Sequence, residues 1–276
     1  MPVKDLSIGM FDSGIGGLTV LKEVRQFLPH EHIIYLGDTA RVPYGNRSPR
    51  TVTRYSLENT RFLLSKGIKM LIVACNTSSA IALPVLKREL PIPVVGVIDP
   101  PSREAVRRTK SKRIGVIGTR ATINSHAYVK AIKRLDPSIE VLSKACPLFV
   151  PVVEEGLEED EVARVVVKKY LEEFKDSGID VLVMGCTHYP ILECQIRELL
   201  GDAVYIVNTG RETSRDVQRV LERHHAAKGS GRGGCCYFVT DAPDKLSDLG
   251  GRVLGAPLTR VRLVKNLEPK VLPSPL

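Results

Sequence analysis

Two cysteines in matching sequence contexts are the residues best placed to do chemistry. Cys75 follows an apolar run at residues 70–74 and precedes the helix-capping residues 76–79, while Cys186 follows a second apolar run at residues 179–185. A cysteine between a strand and the first turn of a helix has its thiolate stabilised by the helix dipole. Either cysteine alone is most simply a small buried hydrophobe, but the pair predicts two acid–base groups.

A glycine-rich turn at residues 13–17 follows the carboxylate of Asp12. A dinucleotide-binding fingerprint would need its third glycine where Thr19 stands, and the Gly-Lys-Ser/Thr ending of a phosphate loop is also absent. We therefore expect the N–H groups of this turn to suit a carboxylate rather than a pyrophosphate. Asp12 would accept a proton or orient a catalytic group, although a purely structural turn explains the motif alone equally well.

His188 lies two residues after Cys186, and the pair has the side-chain types of a zinc site. The spacing lacks the usual Cys-x-x-Cys partner, and neither Cys194 nor the adjacent Cys235 and Cys236 completes a recognisable ligand set. We therefore expect no metal. His188 is better interpreted as a hydrogen-bonding neighbour that helps Cys186 to accept or release a proton.

Two further segments contain candidate binding groups whose role the residues alone leave open. Tyr44 stands between a proline and Gly45 in a loop, where it would either close over a ligand or form an ordinary turn with one packed ring. Glu154 and Glu155 come shortly after the apolar segment 148–151 and are either exposed acids or carboxylates of a cleft.

Short β-branched runs alternate with helical stretches along most of the chain, an order typical of βαβ units around parallel sheets. The predicted strands are residues 6–11, 32–36, 70–74, 94–98, 113–117, 179–184 and 204–207. Apolar residues at helical spacing predict two packing helices, one with its buried face at Val52, Tyr55, Phe62 and Leu63, the other at Val162, Val165, Val166, Tyr170 and Phe174.

Two pairs of similar segments indicate an internal repeat that divides this pattern into two halves. Residues 8–13 resemble residues 114–119, and residues 73–77 resemble residues 184–188 at nearly the same separation. The sequence therefore predicts two similar three-layer α/β domains with mostly parallel sheets. Each domain would bring one cysteine to the end of a strand, so that the active site lies in the cleft between the domains.

The predicted first domain comprises residues 1–98 plus 209–276, and the second comprises residues 99–208. Proline at positions 100 and 101 would end the preceding strand and disfavour helix in the residue before it. Residues 227–234 are rich in glycine and predict a flexible loop, and the three prolines in residues 268–276 predict a loose tail.

Composition limits the classes of function. The 276 residues, 43% of them hydrophobic, suffice for two domains, and the six cysteines are too sparse for the disulfide framework of a small secreted protein. The net charge of +9 would suit nucleic acid or an anionic substrate, but the cations spread over several helices, which favours a solvated surface. We expect a cytoplasmic protein without a membrane span, a signal peptide or a nucleic-acid partner.

Four motifs in order resemble those of the glutamate racemases: residues 11–20, 43–45, 74–77 and 185–190. The resemblance covers most of the chain, from residue 8 to about residue 207. It implies a cofactor-independent isomerase that interconverts L- and D-glutamate and supplies D-glutamate for bacterial cell-wall peptidoglycan, and hence for cell shape. It also implies a homodimer that needs neither pyridoxal phosphate nor a metal.

The resemblance assigns roles to single residues. It implies that Cys75 and Cys186 are the two acid–base groups. Asp12 would support Cys75, while Glu154 and His188 would support Cys186. The implied substrate-binding residues are Asp12, Ser13, Tyr44, Gly45, Asn76, Thr77, Thr187 and His188, with Thr119 and Thr122 as weaker candidates.

The chemistry of racemisation sets a requirement on the two thiols. In each direction one cysteine must be a thiolate and the other a thiol, and a free cysteine is only a few per cent thiolate at neutral pH. We therefore expect a helix N-terminus or a neighbouring base to help each cysteine to ionise. Preorganised hydrogen-bond donors must stabilise the carbanion-like transition state.

The chain departs from the family pattern at three places. Residues 99–101 read Asp-Pro-Pro where the family more often has Glu-Pro-Gly, residues 208–209 read Asn-Thr where Asp-Ser is usual, and the match is loose beyond Val220.

Three alternatives remain open from the sequence. A related racemase acting on aspartate or a hydantoin would share the paired cysteines. A non-catalytic regulator on the same scaffold would bind nucleic acid or a topoisomerase. A thiol redox role is disfavoured because neither cysteine has a Cys-x-x-Cys partner.

Overall fold

The computed structural model describes residues 2–256, 258, 260–264 and 267, which form two β-sheets covered by helices. The strands are β1 (Ser7–Asp12), β2 (His32–Gly37), β3 (Ile68–Val73), β4 (Val94–Gly96), β5 (Arg113–Gly118), β6 (Glu140–Ala145), β7 (Val181–Gly185), β8 (Tyr205–Val207), β9 (Gly234–Val239) and β10 (Val261–Leu263). The helices are α1 (Leu18–Phe27), α2 (Pro49–Leu64), α3 (Asn76–Ile81), α4 (Leu83–Glu89), α5 (Asp99–Arg108), α6 (Arg120–Asn124), α7 (Ala127–Leu135), α8 (Phe149–Glu154), α9 (Glu161–Leu171), α10 (Glu193–Leu200), α11 (Thr209–Arg223) and α12 (Pro243–Leu254). Short 3₁₀ helices lie at Val3–Asp5, Thr39–Arg41, Tyr44–Asn46, Glu172–Phe174 and Tyr189–Leu192.

The strands pair in parallel throughout both sheets. The first sheet has the order β10-β9-β2-β1-β3-β4 and the second has the order β6-β5-β7-β8. This arrangement confirms the predicted α/β class with mostly parallel sheets. We call the elements packed on the first sheet the first lobe, and those packed on the second sheet the second lobe.

The two sheets repeat one strand order. β2-β1-β3-β4 in the first sheet corresponds to β6-β5-β7-β8 in the second, so β1 matches β5 and β3 matches β7. These matched strands carry the segments that resemble one another in the sequence. Strands β9 and β10 extend only the first sheet. The exact domain boundaries, after residues 98 and 208, stay a prediction.

Each sheet has a hydrophobic core on both of its faces, because side chains alternate from face to face along a strand. In β1, Ile8 and Met10 lie in one core and Phe11 lies in the other. In β5, Val116 and Ile117 are divided in the same way. Each fully buried side chain of this size contributes about 1.5–3 kcal/mol. The packed layers hold the carboxyl ends of the strands in fixed positions.

Strands β6, β9 and β10 lie where the sequence predicts no strand. β6 forms one edge of the second sheet and all six of its residues are half-buried or exposed, so it lacks an apolar run. β10 forms an edge of the first sheet and is only three residues long. β9 begins at Gly234, the last residue of the predicted glycine-rich loop. The predicted tail at residues 268–276 lies outside the described residues.

Helix α9 and the turn after it bury part of the predicted face. Phe174 is buried and Val166 and Tyr170 pack against the same core, whereas Val162 and Val165 are 44% and 58% exposed. The prediction is wrong for Val162 and Val165 because valines occur on several sides of the helix, so apolar spacing alone does not identify the packed side. The other buried residues of α9 are Ala163, Val167 and Leu171. In α2, the predicted Val52 and Leu63 are buried.

Helix α5 begins at Asp99, directly before two prolines. The sequence predicts that Pro100 disfavours helix at Asp99, and this expectation is wrong. The prolines occupy the first turn of the helix, where a backbone N–H has no intrahelical partner to lose.

Within the described ranges, no helix has both the length and the apolar character that crossing a membrane requires.

Candidate active site

The carboxyl ends of the strands bring both cysteines to one cavity between the lobes. Cys75 caps α3 directly after β3, and Cys186 directly follows β7. Both are nearly inaccessible to solvent, at 4% and 6% exposure. The cavity has a volume of about 20 Å³ and is lined by Ser13, Val42, Pro43, Tyr44, Gly45, Cys75, Asn76, Thr77, Thr119, Val150, Cys186, Thr187 and His188. One sulfur therefore reaches the cavity from each lobe.

A second cavity of about 190 Å³ adjoins the first. The two share Val42, Pro43, Gly45, Thr119 and Val150 in their linings. Glu154 and Glu155 line only this second cavity.

Cys75 is held as a thiol. Burial and the nearby carboxylate of Asp12 raise the pKa of Cys75 to about 11, although hydrogen bonds from Ser13 and Ser78 act in the opposite direction. Its sulfur lies 3.5 Å from Ser13 Oγ. The expectation that its surroundings help Cys75 to ionise is therefore wrong for this state of the protein. Helix α3 spans only six residues, too little to offset the loss of water around the sulfur.

Cys186 has a cationic neighbour. His188 Nδ1 lies 3.9 Å from Cys186 Sγ, and His188 Nε2 lies 3.2 Å from Glu154 Oε1. Burial disfavours charge on His188, but its hydrogen bonds with Cys186 and Glu154 outweigh burial and raise the pKa of His188 to about 10. His188 thus links the Cys186 sulfur to the Glu154 carboxylate.

Glu154 acts on this pair through His188. Burial alone would raise the pKa of Glu154, but His188 and Lys245 outweigh it and hold that pKa below its ordinary value. Lys245 Nζ lies 3.8 Å from Glu154 Oε2. Glu154 thus stays charged and orients the imidazole, without lining the cysteine cavity itself.

Asp12 lies behind the cavity wall and is fully buried. Its carboxylate accepts hydrogen bonds from Gly14 N at 3.0 Å and from Thr187 Oγ1 at 3.3 Å. Burial raises the pKa of Asp12, against the opposing charge of His188. The N–H groups of Gly14 and Gly17 in the glycine turn interact with the carboxylate of Asp12 itself, and binding of a ligand carboxylate by this turn stays a prediction.

The glycines of this turn allow a very close approach to the site. A Cβ atom on Gly16 would lie 2.5 Å from both His188 Nδ1 and Thr187 Oγ1. A Cβ atom on Gly17 would lie 2.5 Å from Asp12 Cβ. Contacts of that length do not occur between real side chains, so the turn must lack side chains for the two lobes to meet here.

The hydroxyl group of Tyr44 holds its loop in place through two hydrogen bonds. Tyr44 donates a hydrogen bond to Asp38 and accepts one from Asn59 Nδ2 at 3.1 Å. A bound ligand would therefore meet the ring and backbone of Tyr44 rather than its hydroxyl. Gly45 packs against Thr119, which a Cβ atom would approach to 2.6 Å.

Threonine hydroxyls join the lobes beside the cavity. Thr77 Oγ1 of the first lobe lies 3.0 Å from Thr119 Oγ1 and 3.3 Å from Thr122 Oγ1 of the second. Thr187, also from the second lobe, reaches Asp12. The cavity thus brings together the residues predicted to bind substrate except Asp12, which lies behind it, and the weaker candidate Thr122, which does not line it.

Sequence reasoning missed residues whose contacts come from distant parts of the chain. Asp38 follows β2 at the same sheet edge as Asp12, and that position was the available signal. Val42 and Val150 supply the apolar lining. No sequence signal pointed to Tyr128, whose hydroxyl reaches Asn76. Within the described part of the chain, no three His, Cys, Asp or Glu side chains cluster as metal ligands would.

Comparison with known proteins identifies the relatives of this chain. A family model described as Asp/Glu/Hydantoin racemase matches residues 18–215. The chain belongs to the Asp/Glu/Hydantoin racemase family. Among proteins similar to this family member, a glutamate racemase of Geobacter metallireducens is 52% identical over 259 residues, which cover 94% of this chain and 95% of the relative. A glutamate racemase of Aquifex aeolicus is 48% identical over 266 residues, covering 96% and 97%.

Solved structures of racemases share the fold. The crystal structure of a glutamate racemase isoform from Bacillus anthracis superposes with a TM-score of 0.92 at 40% identity and covers 95% of this chain and 98% of that one. A glutamate racemase of Francisella tularensis in complex with D-glutamate gives a TM-score of 0.89 at 36% identity, covering 96% and 99%. These likenesses confirm the resemblance inferred from the four motifs.

Proposed function

We propose that this chain interconverts L- and D-glutamate, with Cys75 and Cys186 as the two acid–base residues. The observation that carries the proposal is the one cavity that both sulfurs line, one from each lobe. A proton must leave one face of the substrate's α-carbon and another must arrive at the opposite face. Two separate acid–base groups achieve this without moving a single base across the substrate. The likeness to glutamate racemases supports glutamate as the substrate.

The two sulfurs start from different protonation states in this mechanism. Cys75 keeps its proton because burial raises its pKa to about 11, and His188 places a positive charge beside Cys186. The thiolate of Cys186 would remove the α-proton that faces it, and the thiol of Cys75 would deliver a proton to the other face. For the opposite enantiomer the sulfurs exchange roles, so Cys75 must first lose its proton.

Hydrogen-bond donors around the cavity would stabilise the carbanion-like transition state. The side chains of Asn76, Thr77 and Thr187 line the cavity and add no net charge. Donors fixed in advance in a space with little water stabilise developing negative charge far more than water does. These residues, with Ser13, Gly45 and the backbone of Tyr44, would bind the two carboxylates of glutamate. Asp12 would act by orienting Thr187 and the glycine turn.

The family resemblance also bears on the compartment, the oligomeric state, the cofactor requirement and the fate of the product. The resemblance supports a cytoplasmic homodimer that needs no cofactor and whose D-glutamate enters peptidoglycan. Gel filtration with light scattering of the purified chain tests the dimer, and a monomer at micromolar concentration would contradict it.

The decisive experiment incubates metal-chelated, cofactor-free protein with L-glutamate in deuterated water. We expect optical rotation to decay while deuterium appears at the α-carbon. Cys75→Ala and Cys186→Ala should each abolish racemisation while exchanging the α-proton of at most one enantiomer. Cys194→Ala, which changes an exposed cysteine, is the matched control. Racemisation by either active-site variant at near wild-type rate would refute the two-cysteine assignment, and faster turnover of L-aspartate would refute the substrate.

A further inference from the structure

Asn76 presents an unused hydrogen-bond donor to the cavity. It is the first residue of α3, only 2% of it is exposed, and it lines the cavity. Its Oδ1 accepts a hydrogen bond from Tyr128 Oη at 2.6 Å, whereas its Nδ2 has no partner among the residues that the structure describes. A buried amide N–H without a partner is costly, and such groups are rare outside binding sites. The free Nδ2 therefore indicates a ligand group that accepts a hydrogen bond.

Tyr128 determines which end of this amide faces the cavity. Its hydroxyl lies 2.6 Å from Asn76 Oδ1 and 3.1 Å from the Val97 carbonyl. If the amide were reversed, Nδ2 would donate to the Tyr128 hydroxyl, and that hydroxyl would donate to the Val97 carbonyl. Oδ1 would then face the cavity. The shorter contact is the one to Oδ1, and a dicarboxylate needs a donor rather than an acceptor. Both observations favour the orientation with Nδ2 toward the substrate.

The ring of Tyr128 contacts the other half of the site. Tyr128 lies in α7 of the second lobe, and a Cβ atom on Gly185 would lie 2.9 Å from its Cε2 atom. Gly185 directly precedes Cys186, and Asn76 directly follows Cys75. One buried side chain thus touches the two segments that carry the cysteines, although it does not line the cavity.

We propose that Tyr128 is a positioning residue for the reaction: its hydroxyl orients Asn76 so that Nδ2 donates to the bound substrate, and its ring sets the spacing between the two cysteine-bearing segments. This inference rests on the proposed racemase function. Since Tyr128 belongs to the second lobe and Asn76 to the first, the donor is fully oriented only when the lobes are together.

A double-mutant cycle between Tyr128→Phe and Asn76→Ala tests the proposal. Phenylalanine keeps the ring against Gly185 and removes only the hydroxyl. We expect Tyr128→Phe to raise KM for glutamate and lower kcat/KM by about tenfold, the effect of losing one hydrogen bond to a charged group. In the Asn76→Ala background, the same change should lower kcat/KM by less than about twofold, because its target is already missing.

Tyr189→Phe is the matched control. Tyr189 is also fully buried, and its hydroxyl donates to the Cys146 carbonyl at 2.8 Å without reaching Asn76. Tyr189→Phe should lower kcat/KM by the same factor in the wild-type and the Asn76→Ala backgrounds. An equal loss from Tyr128→Phe in both backgrounds would overturn the proposal, as would a lowered melting temperature with unchanged KM.

The same cycle on the urea unfolding midpoint needs no turnover. Most of the midpoint shift caused by Tyr128→Phe should disappear in the Asn76→Ala background, since the two side chains share one hydrogen bond. If the wild-type protein fails to racemise glutamate, the proposed function fails while the midpoint cycle still tests the tie between Tyr128 and Asn76. Equal midpoint shifts in both backgrounds would show that no such tie exists.

Discussion

At the scale of single residues, the two sulfurs differ in what surrounds them. Burial, and after it the nearby carboxylate of Asp12, raise the pKa of Cys75. Cys186 instead faces His188, which Glu154 helps to keep protonated. The site therefore holds one proton on a thiol and one on an imidazole before any substrate enters. The pH dependence of the reaction should report both protons.

We expect kcat/KM of the wild-type protein to fall near pH 10, where His188 loses its proton, with Cys75 adding to the loss near pH 11. Glu154→Gln should move the alkaline limb to lower pH. The carboxylate 3.2 Å from His188 Nε2 stabilises the imidazolium, and its removal lowers the pKa of His188. Initial rates between pH 6 and 11 provide the measurement.

Glu155→Gln is the control for this prediction, because Glu155 is exposed and, within the described part of the chain, pairs with Lys245 alone, at 3.8 Å. Its alkaline limb should coincide with that of the wild-type protein. Coincident limbs in all three proteins would mean that Glu154 does not govern the protonation of His188.

At the scale of elements, the turn between β1 and α1 brings the first lobe against the second. Gly16→Ala would place a methyl group 2.5 Å from His188 Nδ1 and must displace that ring or the turn. We expect kcat to fall about 100-fold, the order of loss that a catalytic group misplaced by about 1 Å produces. The melting temperature should change much less, because a small outward shift of the ring relieves the overlap.

Gly229→Ala controls for the general effect of replacing a loop glycine, since a Cβ atom there would have no neighbour within 4 Å. It should leave kcat unchanged. Wild-type kcat in Gly16→Ala would show that the turn tolerates a side chain and that the close approach of His188 to the turn is not needed for turnover.

The loop after β2 contains a buried carboxylate whose hydrogen bonds should contribute to stability. Asp38 is fully buried and accepts hydrogen bonds from Arg41, Tyr44 and Thr240. Asp38→Ala would leave these donors without their acceptor, at a cost of about 3 kcal/mol. Urea unfolding measures this cost. Asp241→Ala, at an exposed neighbouring acid, should cost less than about 0.5 kcal/mol, and equal costs would contradict the role of Asp38.

The sequence predicts elements well where burial is complete and poorly where it is partial. Strands β1, β3, β5 and β7 are buried along nearly their whole length, so their apolar runs were visible without a structure. Edge strand β6 carries no such run. Cys75, Cys186 and His188 could be identified because their neighbours in sequence carry the signal. Tyr128 could not, because its partners Asn76 and Val97 are distant in sequence and meet it only after folding.

At the scale of the whole molecule, a buried ion pair ties separate parts of the first lobe together. Lys69 Nζ lies 2.6 Å from Glu31 Oε2 and donates to the carbonyls of Lys4 and Ala226. Both charged side chains are almost completely buried. Lys69 stands at the amino end of β3, the strand whose carboxyl end leads into Cys75. The buried ion pair and the active-site cysteine Cys75 thus lie at opposite ends of one strand.

Lys69→Met should lower the free energy of unfolding by about 3–5 kcal/mol, because Glu31 would remain buried without its counter-charge. Adding Glu31→Gln should recover part of the loss. Urea denaturation gives both values, and Arg88→Met, which breaks an exposed pair with Glu89, should change stability by less than about 1 kcal/mol. A loss in Lys69→Met no larger than that of Arg88→Met would contradict this role.

The repeated strand order supplies one sulfur from each half, yet the two halves are chemically unequal. The enantiomers of glutamate have identical free energy in water, so the equilibrium between them lies at equal concentrations. The ratio kcat/KM must then be the same for both enantiomers, however different the thiol and the imidazolium make the two directions. The chemical difference between the halves can therefore change kcat and KM only together. The enantiomer with the higher kcat must also have the proportionally higher KM.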